Sequence, residues 1–143
     1  MSTEEIYQDV RQALGQVPEF IRTIPEESLE AEWSLFKRFE LAPSSLDPKT
    51  RELIGIAVAA SQHCWYCTNF HTGLAQLHGA TEAEIQEAVH FAKFSTGWST
   101  YLNGIGYDHD LFMRELHEIG AYLQKSRQPE VSDSQPQETS PRA

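Results

Sequence analysis

The amino-acid sequence predicts an all-α protein, a helical bundle that carries a Cys-x-x-Cys pair at the N-terminus of one helix. Three observations lead there. Apolar residues recur at helical spacing along most of the chain, so that each run has an apolar face. Start and stop signals bracket those runs. No segment alternates apolar with polar residues as a half-buried strand does, and no fixed-period repeat stands out.

Ser2 and Glu5 form a capping box ahead of Ile6, Val10 and Leu14, and Gly15 supplies the stop, which gives a short first helix. After Val17-Pro18-Glu19-Phe20-Ile21 a second helix opens near Pro25. It turns Leu29, Trp33, Phe36 and Leu41 inward, keeps Glu30, Glu32, Lys37 and Arg38 mostly outward, and stops before Pro43. Asp47-Pro48 then pairs an N-cap with a proline at the first helical position and launches a helix from Lys49 to about Ser61. Its second half, Ile54-Gly55-Ile56-Ala57-Val58-Ala59-Ala60, is apolar nearly all round, which suits the centre of a bundle. Ser61 is the expected N-cap of the next helix, which holds Cys64 in its first turn and ends at Gly79. Thr81 and Glu84 make a second capping box, followed by an apolar side of Ile85, Ala88, Val89 and Ala92 that continues through Phe94, Trp98, Tyr101 and Leu102. Gly104 and Gly106 break that helix. A last one starts near Asp108 and is expected to bury Leu111, Phe112, Leu116, Ile119 and Leu123. Residues 1–126 are expected to form a single helical domain. The stretch 127–143 is expected to be a disordered tail, too polar to offset the entropy of ordering.

With 143 residues and 40% hydrophobic content, the chain suits one domain with a modest core, helped by self-association. The aromatic residues Trp33, Phe36, Phe39, Phe91, Phe94, Trp98 and Tyr101 are expected in that core, some of them at a subunit interface. A formal net charge of −10 counts against nucleic acid and anionic membranes as partners, because phosphate binding needs clustered Lys and Arg. Small molecules and proteins remain. Met1-Ser2-Thr3-Glu4-Glu5 lacks the basic and apolar regions of a leader, and no apolar run approaches membrane-spanning length, so a soluble cytoplasmic protein is expected. In that reducing compartment a Cys-x-x-Cys pair reads as redox-active or metal-binding rather than as a structural disulfide.

Both cysteines lie in Cys64-Trp65-Tyr66-Cys67-Thr68-Asn69-Phe70-His71. On a helix this spacing puts Cys64, Cys67 and His71 on one stripe. Only a thiolate attacks a peroxide or a disulfide, so a working cysteine needs something that stabilises negative charge. First-turn amides and the helix dipole favour an anion near Cys64, whereas Cys67 lies a turn deeper and depends more on His71. Glu52 stands at the edge of the preceding apolar run, on roughly the face of Ile56 and Ala59, from which its carboxylate could orient or charge the imidazole of His71. One unbroken helix would hold Glu52 and Cys64 roughly 18 Å apart at ~1.5 Å per residue. Their cooperation therefore requires a bend near Ser61 and an antiparallel return. His63 and His78 fall away from this cluster, and His90, His109 and His117 have no cysteine or carboxylate at ligand spacing.

The order Glu52, Cys64, Cys67, His71, followed by Leu74-Ala75 and Gly79-Ala80, resembles the AhpD-like alkylhydroperoxidases of the carboxymuconolactone decarboxylase superfamily over about Leu46 to Ala92. The resemblance implies an AhpD-like helical bundle that assembles as trimers or hexamers. It also implies a peroxidatic Cys67, a resolving Cys64, and Glu52 with His71 as the proton relay. AhpD proper has a histidine immediately before its second cysteine, where this chain has Tyr66. The superfamily's true decarboxylases work without the cysteine pair. The implied activity is therefore that of a dithiol peroxidase or disulfide reductase acting on alkyl hydroperoxides, re-reduced by a thiol or dithiol protein of lipoyl or thioredoxin-like kind.

A second class of reading stays open at this level: a non-catalytic zinc-binding or redox-sensing helical module built on Cys64, Cys67 and His71. A structural zinc site wants four ligands, so His63 or a histidine from another subunit would have to complete it. No motif for flavin, nicotinamide or haem is visible, and no cofactor is expected.

Overall fold

A computed structural model describes residues 1–127 of the chain, and the expected tail lies outside them apart from Arg127. All regular structure among the described residues is helical. The order is α1 (Thr3–Leu14), α2 (Glu19–Arg22), α3 (Glu26–Phe36), a π-helical turn (Lys37–Leu41), α4 (Pro48–Ser61), α5 (Trp65–Leu77), α6 (Glu82–Gly104) and α7 (His109–Ser126). No described helix is long and apolar enough to cross a membrane.

The chain divides into two compact units, one of Met1–Ala92 and one that begins at Lys93. In the first, the expected caps start the helices. Ser2 and Glu5 bond reciprocally at α1, the Asp47 carboxylate receives Thr50 N–H at 3.0 Å with Pro48 opening α4, and Thr81 and Glu84 cap α6. Ile6, Val10, Ile21, Leu29 and Trp33 close an apolar core between α1, α2 and α3. A second core, Ile56, Ala75 and Ile85 with Leu53 and Ala80 against it, joins α4, α5 and the start of α6. α4 and α5 pack against each other, as the reading of Glu52 with His71 requires.

The bend between α4 and α5 differs from the expected one. Ser61 does not cap α5: it ends α4, and its hydroxyl donates back to Ala57 O at 2.9 Å. His63 takes the left-handed conformation (φ 55), His63 N–H bonds Ala60 O and Cys64 N–H bonds Ala59 O. This is a Schellman close of α4, and the residue that completes it, Cys64, is at once the N-cap of α5. A non-glycine residue in that region costs about 1–2 kcal/mol, which marks the turn as held by its surroundings. The same pattern with Gly79 closes α5, where Ala80 N–H bonds Ala75 O.

Other expectations are corrected by exposure. The second helix ends at Phe36 and gives way to the π-turn, where Leu41 is exposed rather than inward. α4 buries Glu52, Ile56 and Ala59 but leaves Ile54 and Val58 exposed, so only one of its faces is central in this chain. Trp33 is in the core, whereas Phe39, Phe91, Phe94, Trp98 and Tyr101 are exposed. In the second unit, Gly106 (φ 63) ends α6 and Asp108 caps α7 through Leu111 N–H. α7 buries none of its expected stripe: Leu111 is half-buried, and Phe112, Leu116, Ile119 and Leu123 are exposed. A helix has this pattern either because its own chain covers it or because another surface does, and periodicity alone does not separate the two.

Candidate active site

Glu52 is 0% exposed, the only polar or charged side chain among the described residues to be buried. Its Oε2 lies 2.8 Å from Nδ1 of His71, across the α4–α5 contact. A carboxylate has no proton to give, so Nδ1–H is the donor and the lone pair of His71 sits on Nε2. The ring reaches this position because α4 has a glycine opposite it. A Cβ on Gly55 would stand 2.6 Å from both Cγ and Nδ1 of His71. Gly55 was legible in the sequence only as one member of an apolar run. A glycine inside a helix costs about 1 kcal/mol against alanine, and that cost is the signal of close approach that periodicity overlooks.

Cys64 and Cys67 are both free thiols. As N-cap, Cys64 receives Cys67 N–H on its Sγ at 3.3 Å. Hydrogen bonds from the Cys67 thiol and that amide hold Cys64 below the ordinary thiol range, while loss of its proton to that contact is resisted by Cys67, which is pushed up. The pair is therefore asymmetric, with the negative charge favoured on Cys64.

Cys67 and His71 line a cavity of about 530 Å³ with Phe20, Phe36, Glu40, Tyr66 and Phe70. Aromatic rings dominate it. Phe36 connects the first apolar core to this cavity, stacked on Trp33 at 5.4 Å between centroids and edge-on to Phe70 at 6.0 Å.

Glu40 was absent from the sequence-predicted site. It belongs to the π-turn, a deformation that occurs often at functional positions. Arg51 holds the turn by donating to the backbone carbonyls of Glu40 at 2.9 Å and Ala42 at 3.1 Å. One donor or acceptor atom each from Glu40, Glu52 and His71 lies within 4.8 Å of the others. Burial, and then the neighbouring Glu52, raise Glu40 above the ordinary carboxylate range. Its sequence signal was weak but present: Glu40 follows Trp33 and Phe36 at seven and four residues, on the stripe that faces inward. The cysteines are outside this group, so the side chains that converge are not the Cys64, Cys67 and His71 set of the zinc reading. His63 is exposed at the bend.

A solved structure described as the alkylhydroperoxidase AhpD core from Rhodospirillum rubrum superposes with a TM-score of 0.66 at 24% identity, covering 77% of this chain and 85% of that one. At that identity the likeness concerns the fold. A protein of Paracoccus denitrificans described as "Uncharacterized protein 4 in cox locus" is 32% identical over 62 residues, 43% of this chain. The match spans 56% of that relative, little more than half its length. Residues 28–108, which include Glu40, Glu52, both cysteines and His71, match the model of the carboxymuconolactone decarboxylase family. The chain thus belongs to the carboxymuconolactone decarboxylase family and has the AhpD-like all-helical fold.

Proposed function

We propose that this protein is a dithiol peroxidase, or disulfide reductase, that reduces organic hydroperoxides through Cys64 and Cys67. The observation that carries the reading is the buried Glu52 carboxylate on His71 Nδ1 at 2.8 Å, beside an aromatic cavity that Cys67 also lines. This arrangement directs the basic Nε2 of His71 away from Glu52 and suits it to proton transfer, as in other base-and-orienter pairs. An apolar cavity of about 530 Å³ favours an alkyl chain over hydrogen peroxide alone.

In the proposed cycle Cys67 passes its proton to His71 and attacks the outer peroxide oxygen. The O–O bond breaks, Cys67 becomes a sulfenic acid, and the leaving alkoxide takes the proton from His71 to give an alcohol. Cys64 then attacks the Cys67 sulfur, its own thiol proton passes to the displaced hydroxide, and a disulfide forms as water leaves. A thiol or dithiol protein, lipoyl or thioredoxin-like, returns two electrons by exchange. The exposed apolar residues of α7 support a homo-oligomer, and a trimeric or hexameric assembly and a cytoplasmic location belong to the same reading.

The reverse order, with Cys64 attacking first, is favoured by one observation, the lowering of Cys64 by Cys67. Intact-mass analysis separates the readings. Reduced protein given a small excess of alkyl hydroperoxide should lose two hydrogens and regain them with a dithiol. Cys64→Ser should stop at one added oxygen and Cys67→Ser should not react; the opposite outcome in the two variants establishes the reverse order. An unchanged wild-type mass overturns the peroxidase reading.

A further inference from the structure

The cavity beside Cys67 does not end at Phe36. A second depression of about 270 Å³ adjoins it and shares Phe20, Phe36 and Glu40 with it. Ile24, Glu32, Leu35 and Phe39 form walls that belong to the second alone, over the buried ring of Trp33. The two make one trough within the first unit, with Cys67 and His71 at one end and the α3 face at the other.

The chain builds that face from local spacing. Leu35 with Phe39, and Phe36 with Glu40, stand four residues apart and project to one side where α3 runs into the π-turn. Phe20, at 59%, Leu35, at 52%, and Phe39, at 62%, stay exposed around a Trp33 that is itself 3% exposed. Single exposed apolar residues are ordinary, but several that line one depression continuous with a reactive cysteine mark a surface that something covers. Charge narrows what that is. The lining carries Glu32 and Glu40 and no lysine or arginine. Arg38 and Arg51 flank the trough without lining it: Arg38 lies over the Phe39 ring at 5.9 Å, and the terminal nitrogens of Arg51 are taken by the carbonyls of Glu40 and Ala42.

We propose that this second lobe is the chain-binding part of the site, and that it selects uncharged hydroperoxides with a long unbranched aliphatic chain. The inference rests on the peroxidase reading for the reaction, though not for the binding of the chain. With the peroxide group at Cys67 and His71, the chain passes Phe36 and lies against Leu35 and Phe39, which removes apolar surface of both from water. A compact branched group fills the first cavity and leaves the lobe empty. A carboxylate at the chain end would meet Glu32 and Glu40 and find no lining cation. Leu35 and Phe39 touch the chain rather than the reacting atoms, so they act on KM more than on kcat.

The first readout does not use turnover. Calorimetry on the reduced full chain should show binding of n-octanol, an unreactive product analogue, and Leu35→Ser and Phe39→Ser should each weaken it about 10-fold. No binding overturns the proposal. The second readout is chain length. Across n-butyl, n-hexyl and n-octyl hydroperoxides kcat/KM should rise about 2- to 4-fold per methylene through a falling KM, and both variants should flatten that slope, which a loss common to all three substrates would not do. Equal kcat/KM across the series overturns the proposal and leaves the peroxidase reading standing. Octanol binding that the variants weaken, with no peroxide turnover, sinks the peroxidase reading and leaves the lobe as a chain site. The methyl ester of hydroperoxyoctanoic acid should react about 10-fold faster than the free acid, with a narrower gap in Glu32→Gln; a preference for the acid overturns the selection of uncharged chains. A second copy of this chain is the rival occupant. Sedimentation in which both variants lose self-association while keeping the chain-length slope overturns the proposal in its favour.

Discussion

Leu29 on α3 and Glu52 on α4 are both 0% exposed, but what surrounds them differs in kind. Leu29 sits among Ile6, Val10, Ile21 and Trp33, in contacts that are non-directional and depend on filled volume. Glu52 sits beside an imidazole, an arginine and a second carboxylate, in a pocket that a glycine holds open. Burial of the first kind stabilises the fold. Burial of the second kind costs desolvation and, under the proposed function, orients a base. The first unit therefore holds a core that closes and a site that has been left chemically open, with Phe36 packed on the first and lining the cavity of the second.

The largest separation of the two should come from Leu29→Ala. Emptying that fully enclosed position should cost about 2–5 kcal/mol, read as a lower urea midpoint, while peroxide turnover per folded molecule stays within about two-fold. A matching loss of turnover would show that the core and the site are coupled through Phe36. Gly55→Ala should do the opposite. Its methyl group would displace the His71 ring by a fraction of an ångström or more, and turnover should fall on the order of 100-fold, while the gain of about 1 kcal/mol from helix propensity is offset by an overpacking cost of about 1–3 kcal/mol. Full activity in that variant would mean that the His71 position is not what sets the rate.

The smallest effect belongs to a contact that touches neither core. The Lys49 ammonium, 2.7 Å away, together with the Thr81 amide and hydroxyl, holds Glu84 at about 2, against 4.5 for a free side chain. A depressed carboxyl stabilises the fold above its unfolded value and stops doing so as pH falls through its folded value. This contribution should therefore fade between pH 4.5 and about 2. Both groups are solvent-accessible, so the effect should be modest. Acid titration of thermal midpoints should be shallower in this window for Glu84→Gln than for wild type. Identical slopes would remove Glu84 from the acid response.

Where a signal was local, it was readable from residues alone. Capping at Ser2, Asp47, Thr81 and Asp108, and the stripe of α1, are short-range matters of hydrogen bonding and period. α2 has only four residues, too few for any period to register. Ser61 is by type a better cap than cysteine, yet the turn needed its position inside α4 and gave capping to Cys64. α1 and α7 illustrate the same boundary: both are amphipathic, but only α1 buries residues of its apolar stripe among the described residues.

By itself the sequence determined that the protein is helical and where most helices begin and end, and it singled out Cys64, Cys67 and His71 with Glu52 available on the preceding helix. Only the tertiary structure decided that Glu52 and His71 meet, 19 residues apart, over the backbone of Gly55. It also brought Glu40 to them from a π-turn pinned by Arg51. Periodicity and capping act within a turn or two of chain, whereas a buried carboxylate finds its partners through the angle of a bend and the packing of two helices.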